Sequence, residues 1–308
     1  MHLGPPAPQT SARASAAPHR AAFAALLAGN AALAFGPWLV RLADTGPVAA
    51  AFWRLLIAVP FLLVLARATG QRFPKLTAPL LVTLTAAGWF FAGDLGAWHV
   101  GIRLTKLANA TLFANMSSFA FAAYGFRLAR TRPTGTQAGA LLLAAAGVAL
   151  LMGGSYEASP QYLRGDLLCL AAGLLYTGYL IAIDRARGAM APLPLLTLAT
   201  IAGAPPLLGA ALLFGEPVMP HNWTPLLLLA LGSQVVGQGL LVYAMGHLSP
   251  TVVGLGLLTQ PATSAVIGWL VYSERLTATD GVGALAIAAA LVLVRLPGAA
   301  RGVAPGGG

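Results

Sequence analysis

Apolar side chains along this chain fall into runs of roughly twenty residues, separated by short polar connectors. The runs lie near 21–40, 49–66, 77–98, 107–126 and 136–153, then near 166–183, 193–214, 224–244, 250–271 and 278–296. About 20 apolar residues make a helix that crosses bilayer hydrocarbon. Ten transmembrane helices are therefore expected, and the predicted fold class is an all-α integral membrane protein. The connectors carry turn and stop signals, among them Asp44-Thr45-Gly46-Pro47, Arg72-Phe73-Pro74, Arg132-Pro133-Thr134-Gly135 and Ser249-Pro250. Ala, Gly and Leu dominate the runs, and small residues let helix backbones approach closely in lipid. Gly135 and Gly139 form one such small-residue pair at the start of the fifth run.

A shift of 144 residues lays the second five runs on the first five without a gap. Gly29 falls on Gly173, Arg41 on Arg185, Gly88 on Gly232 and Gly93 on Gly237. Because each half holds an odd number of spans, the halves must enter the membrane in opposite senses. Charge tests this. With the N-terminus in the cytoplasm, twelve of the 18 Lys and Arg fall on the inner side, five fall on the outer side, and Arg54 lies within a helix. The basic connector 67–75 corresponds to 211–219, which holds Glu216 and no Lys or Arg. Corresponding loops thus have opposite charge habits, as two inverted five-helix repeats require. The domain reading is a disordered cytoplasmic tail at 1–20, a first repeat at 21–153, a linker at 154–165, a second repeat at 166–296 and a disordered tail at 297–308. Both termini are expected in the cytoplasm, in a multi-pass protein of the inner (cytoplasmic) membrane.

Composition agrees with this placement. Of the 308 residues 58% are hydrophobic and 8% are charged, against roughly 25% charged in a soluble domain. A water-facing surface is not covered by so few charges. The net charge of +10 would suggest nucleic acid in a soluble chain; here the basic residues sit in connectors, so no nucleic-acid partner is expected. Cys169 is the single cysteine, and no intramolecular disulfide can form. The first apolar run is too long for a cleaved leader and reads as a retained helix. The chain has no G-x-x-x-x-G-K-[ST] phosphate loop, H-E-x-x-H, Cys/His cluster or G-x-S-x-G elbow. Neither an enzyme nor a metal or other cofactor is indicated.

Polar groups inside spans are costly and mark function. Arg54 lies about five and Asp94 about four residues below the outer ends of their helices, roughly 6–8 Å deep at about 1.5 Å per residue. They read either as a structural ion pair locking two helices or with Asp94 as a cation-binding or proton-coupling carboxylate. Gln234 and Gln238 share a helix face, and the 144-residue shift sets Gln238 on Asp94. Asn30, Asn115, Ser118, Tyr176 and Gln260 add hydrogen-bonding groups, and Trp89 lies deeper than an interfacial anchor. Each reads either as an interhelical contact or as the lining of a polar substrate cavity between the repeats. Pro60, Pro205-Pro206 and Pro261 interrupt runs, as hinges or as packing bends.

The chain resembles the ten-helix EamA-type members of the drug/metabolite transporter superfamily, over roughly 21–297. The residues that carry the resemblance are Phe52-Trp53-Arg54, the stretch Leu107–Asn115, Leu257-Leu258-Thr259-Gln260-Pro261 and Ser273-Glu274-Arg275-Leu276-Thr277. It departs from the family's pattern at Arg130-Thr131-Arg132-Pro133, where a Glu is frequent, and at Ser117, where a proline matching Pro261 is frequent. The resemblance implies a secondary transporter, often an exporter, moving small organic metabolites such as amino acids by alternating access. It further implies a path between the first, third, fourth, sixth, eighth and ninth spans. The alternatives are a non-transporting membrane scaffold and a membrane-embedded lipid-handling enzyme. A homodimer is left open.

Overall fold

A computed structural model describes residues 10–105, 107–153, 159–272 and 277–295, and every regular element among them is helical. In chain order these are α1 (Thr10–Ala34), α2 (Gly36–Leu42), α3 (Pro47–Ala68), α4 (Ala78–Leu104), α5 (Leu107–Ala114), α6 (Met116–Leu128) and α7 (Gly135–Gly153). They continue with α8 (Leu163–Ala186), α9 (Pro192–Leu213), α10 (Thr224–Leu228), a π-helical segment (Leu229–Gln238), α11 (Gly239–Met245), α12 (Pro250–Leu257), α13 (Gln260–Tyr272) and α14 (Ala278–Arg295). Among the described residues, six helices are long and apolar enough to cross a membrane: His19–Leu42, Pro47–Ala68, Ala78–Leu104, Leu163–Ala186, Pro192–Leu213 and Thr224–Met245. The outward faces are greasy too, with Leu142 72%, Leu213 87% and Leu285 71% exposed. That surface suits hydrocarbon and not water.

α1 begins at Thr10, so half of the segment expected as a disordered tail is helical. Its stretch Ser11–Ala17 is rich in alanine, the strongest helix former. Residues 1–9 and the expected tail at 297–308 lie outside the described residues, as do 154–158 of the expected linker and Ser273-Glu274-Arg275-Leu276 of the motif. The second repeat was expected from 166; α8 starts at Leu163.

Two runs read as single spans are broken in the middle. α5 gives way to α6 at Asn115, and α12 to α13 at Leu258 and Thr259. The second break has a covalent cause. Pro261 has no N–H to offer the carbonyl of Leu257, four residues back. The Asn30 side-chain amide supplies the donor from α1, giving to Leu257 O at 3.0 Å and Gly256 O at 2.9 Å. The first break lacks a proline; the Asn115 side chain turns back onto Thr111 O at 2.6 Å, and Ser117 Oγ donates to Ala114 O at 2.8 Å.

Close helix approach depends on glycine. A Cβ on Gly29 of α1 would stand 2.8 Å from the carbonyl oxygen of Gly237, and one on Gly173 of α8 would stand 2.9 Å from that of Ala114. α4 packs along α8, α3 along α9 and α7 along α14, while α1 packs along the π segment and α11. The ends are tied by polar contacts. Asp44 Oδ2 accepts from the backbone N–H of Asn222 (2.9 Å) and His221 (3.0 Å), and Trp53 Nε1 donates to Val218 O at 2.6 Å. At the opposite end Gln71 Oε1 accepts from Leu193 N at 2.9 Å, and the Tyr124 hydroxyl donates to Asp184 at 3.1 Å.

Candidate functional site

The helix breaks, Arg54 and the π segment face a common interior cavity. Its wall takes Leu33 from α1 and Pro37 from α2, Arg54 from α3, and Phe91, Asp94, Leu95 and Trp98 from α4. Thr111, Ala114, Asn115, Ser117 and Ser118 come from around the first break, Gly173 and Tyr176 from α8, Gln238 from the π segment, and Leu257 and Gln260 from either side of the second break. It offers about 80 Å³ to the centres of water-sized molecules, where roughly 10–15 Å³ suffices for one. That is room for a handful of waters or one small solute.

Of the side chains singled out from the sequence, Arg54, Asp94, Asn115, Ser118, Tyr176, Gln238 and Gln260 meet here. Gln234 stands directly behind the wall. Its Oε1 accepts from Arg54 Nε at 3.2 Å, and its Nε2 donates to Thr200 Oγ1 at 3.0 Å. Thr200 on α9 thus fixes Gln234, and Gln234 fixes the guanidinium, which also lies 5.7 Å from the centroid of the Phe91 ring. Gln238 Nε2 donates to the Tyr176 hydroxyl at 3.2 Å and its Oε1 accepts from Tyr179 at 3.4 Å. The rings of Phe91, Tyr179 and Tyr176 stack in series at 4.5 and 5.6 Å. These aromatic planes hold the polar groups on α3, α8 and the π segment at fixed depth.

Two expected lining residues lie elsewhere. Asn30 is buried and spends its amide on the second helix break. Trp89 is 63% exposed and lines a separate apolar groove with Val48, Gly93, Leu207 and Phe214. At that point α4 turns its opposite face to the interior, carrying Phe91, Asp94, Leu95 and Trp98. The sequence left Phe91, Leu95 and Pro37 unremarked, while Thr111 stood in the singled-out stretch Leu107–Asn115. Their periodicity with Asp94 on one α4 face was a usable signal for the first two; nothing local marked Pro37.

Arg54 and Asp94 share the cavity without joining into an ion pair among the described residues, because Arg54 turns its Nε toward Gln234. Arg54 is 4% and Asp94 9% exposed, and among the described residues they are the only charged ones in the wall. The Trp98 indole N–H and the Ser118 hydroxyl, also in the wall, are buried without a hydrogen-bond partner. Asp166 is buried too, but it is committed to Thr105 Oγ1 at 2.6 Å and Asn109 Nδ2 at 3.2 Å.

Long apolar helices around a small polar interior define a multi-pass helical membrane protein with an internal ligand-sized chamber. Residues 163–296 match the sequence model of the EamA-like transporter family. A solved crystal structure superposes with a TM-score of 0.73 at 19% identity, covering 91% of this chain and 98% of the other; at that identity the likeness is one of fold. No curated protein matches the chain in sequence.

Proposed function

We propose that the chain is a secondary transporter that carries small organic metabolites, amino acids or related compounds, outward across the cytoplasmic membrane by alternating access. The observation that carries the reading is the cavity, a buried polar chamber whose wall is drawn from both halves of the chain. Ten spans in two inverted repeats accompany it. The breaks at Asn115 and Thr259 lie 144 residues apart, the same shift that aligns the sequence. The pairings also exchange under that shift: α4 on α8 becomes α1 on the π segment and α11, while α3 with α9 and α7 with α14 map onto themselves. Such a pseudo-twofold lets one sequence be closed at either end of a central site. The tie between Tyr124 and Asp184 belongs to the cytoplasmic end in this reading, and the tie between Asp44 and residues 221–222 to the outer end.

Reconstitution into liposomes, with labelled amino acids loaded on one side, tests the function. Saturable flux and counterflow are expected; folded protein that moves none of them would refute the reading. Topology is tested by single cysteines in a Cys169→Ala background. Positions in 69–77 and 187–191 should label from the cytoplasmic side, and positions in 43–46 and 214–223 from outside. Opposite labelling of 69–77 and 187–191 would overturn the inverted repeat.

A further inference from the structure

The groove that Trp89 lines lies on the outside of the bundle, and α4 separates it from the polar chamber. Its floor is the face of α4 that runs from Trp89 to Val100; Val48 of α3, Leu168 of α8 and Leu207 of α9 form the sides. Between Trp89 and Val100 the floor is Ala92, Gly93, Gly96 and Ala97, so no side chain larger than a methyl group rises from it. The result is a trough about 16 Å long at about 1.5 Å per residue, half of the roughly 30 Å of bilayer hydrocarbon. No charged side chain lines it among the described residues.

One end of the trough is marked by charge. Arg103 follows Gly96 and Val100 on the same face of α4, and Arg164 stands one turn before Leu168 on the same face of α8. A Cβ on Gly165 would meet the Leu104 carbonyl carbon at 2.8 Å, so the two arginines leave adjoining points of the two helix ends. Arg103 donates to Thr45 O at 3.1 Å, which anchors its guanidinium beside the start of α3. Both arginines are exposed, and neither has an ion-pair partner among the described residues. The carboxylates of the neighbouring loops are held by backbone: Glu216 accepts from Ala49 N at 2.8 Å, and Asp44 from the N–H groups of His221 and Asn222.

We propose that this groove seats one anionic glycerophospholipid, an acyl chain lying along α4 from Val100 to Trp89 and the phosphodiester held by Arg103 and Arg164. The proposal goes beyond the transport reading and needs it only to assign the leaflet, which is the outer one in that orientation. Lipid tails are as apolar as the groove, so a chain gains no hydrophobic energy by entering it. Selectivity therefore comes from the headgroup. Guanidinium forks suit phosphate oxygens, and a choline or ethanolamine cation on the same lipid would meet two arginines of like charge.

The test uses the purified full chain in mild detergent, titrated with phosphatidylglycerol or phosphatidylcholine of matched chains brominated near the methyl end. Bromine quenches tryptophan on contact, and the Trp89 signal is the difference between wild type and Trp89→Phe. Phosphatidylglycerol should quench Trp89 saturably, at a concentration roughly tenfold or more below that of phosphatidylcholine. Arg103→Gln with Arg164→Gln should erase that preference. Ala97→Phe, which fills the trough and leaves both arginines, should erase it too. Melting in the absence of added lipid checks that the variants fold, and the wild-type comparison of the two lipids decides the matter if they do not. Equal potency of the two lipids, the mark of ordinary bilayer contact, would overturn the proposal. So would a preference that survives Ala97→Phe, or a Trp89 that neither lipid quenches because detergent or a second copy of the chain, seen as a dimer by light scattering, fills the groove.

Discussion

Gly88 and Gly232 fall on one another under the 144-residue shift, yet the structure gives them opposite sensitivities. A Cβ on Gly88 would meet Ala202 Cβ at 2.6 Å, Ala199 O at 2.7 Å and Gly203 N at 2.7 Å. Two of these atoms are backbone, so relief requires α4 and α9 to separate by several tenths of an ångström. Overpacking of this kind costs about 1–3 kcal/mol, partly offset by up to ~1 kcal/mol from alanine's helix propensity. Gly88→Ala is therefore expected to destabilise by about 1–2 kcal/mol, a factor of roughly 5–30 in the folded ratio. A Cβ on Gly232 would meet nothing within 4 Å, so Gly232→Ala should be neutral or stabilising by up to ~1 kcal/mol. Gly139→Ala, equally open and in a regular α-helix, serves as a second control. Unfolding midpoints in mixed SDS micelles rank the three proteins against wild type. A Gly88→Ala protein as stable as wild type, or a Gly232→Ala protein equally damaged, would refute the close-approach reasoning.

Further outcomes follow from the same contacts. Asn30→Leu removes an amide whose two N–H hydrogens are shared among Gly256 O, Leu257 O and Thr259 Oγ1, and at about 0.6 kcal/mol for each hydrogen in a membrane should cost about 1 kcal/mol. The loss should shrink in a Pro261→Ala background, where residue 261 regains an N–H for Leu257 O; an unchanged coupling in that double-mutant cycle would contradict the role given to Asn30. Trp89→Leu, on the exposed face of α4, should change unfolding by no more than ~0.5 kcal/mol and leave ligand binding unaltered, which equilibrium binding checks. The backbone N–H groups of Asn222 and His221 hold the Asp44 carboxyl below the usual carboxylate range. Its contribution is present above about pH 3.9, the unfolded value, and fades as pH falls through the lower folded value. Amide exchange at 221–222, corrected for its intrinsic pH dependence, should rise only below that point, and Asp44→Asn should remove the step.

Much of the architecture was legible in one dimension. Apolar runs of membrane-crossing length mark where helices form, because an unsatisfied backbone is intolerable in hydrocarbon whatever the neighbours do. The 144-residue shift and the charge of the connectors agree with each other in predicting an inverted arrangement. Arg54, Asp94 and Gln238 stand out as costly polar groups in otherwise apolar runs, and the structure brings all three to one cavity. Sequence alone did not tell which way a side chain faces or what it touches. Asn30 and Asn115 looked alike, but only a partner helix broken at Pro261 made Asn30 a donor to stranded carbonyls. Trp89 and Phe91 are two residues apart, and the rotation of α4 sends one toward the membrane-facing surface and the other to the cavity. Gly88 and Gly232 are the same letter in the same register, and their difference lies in how near a second helix comes. Periodicity and composition are properties of the chain, whereas facing, proximity and the unpaired state of Arg54 and Asp94 among the described residues arise only from packing distant segments together.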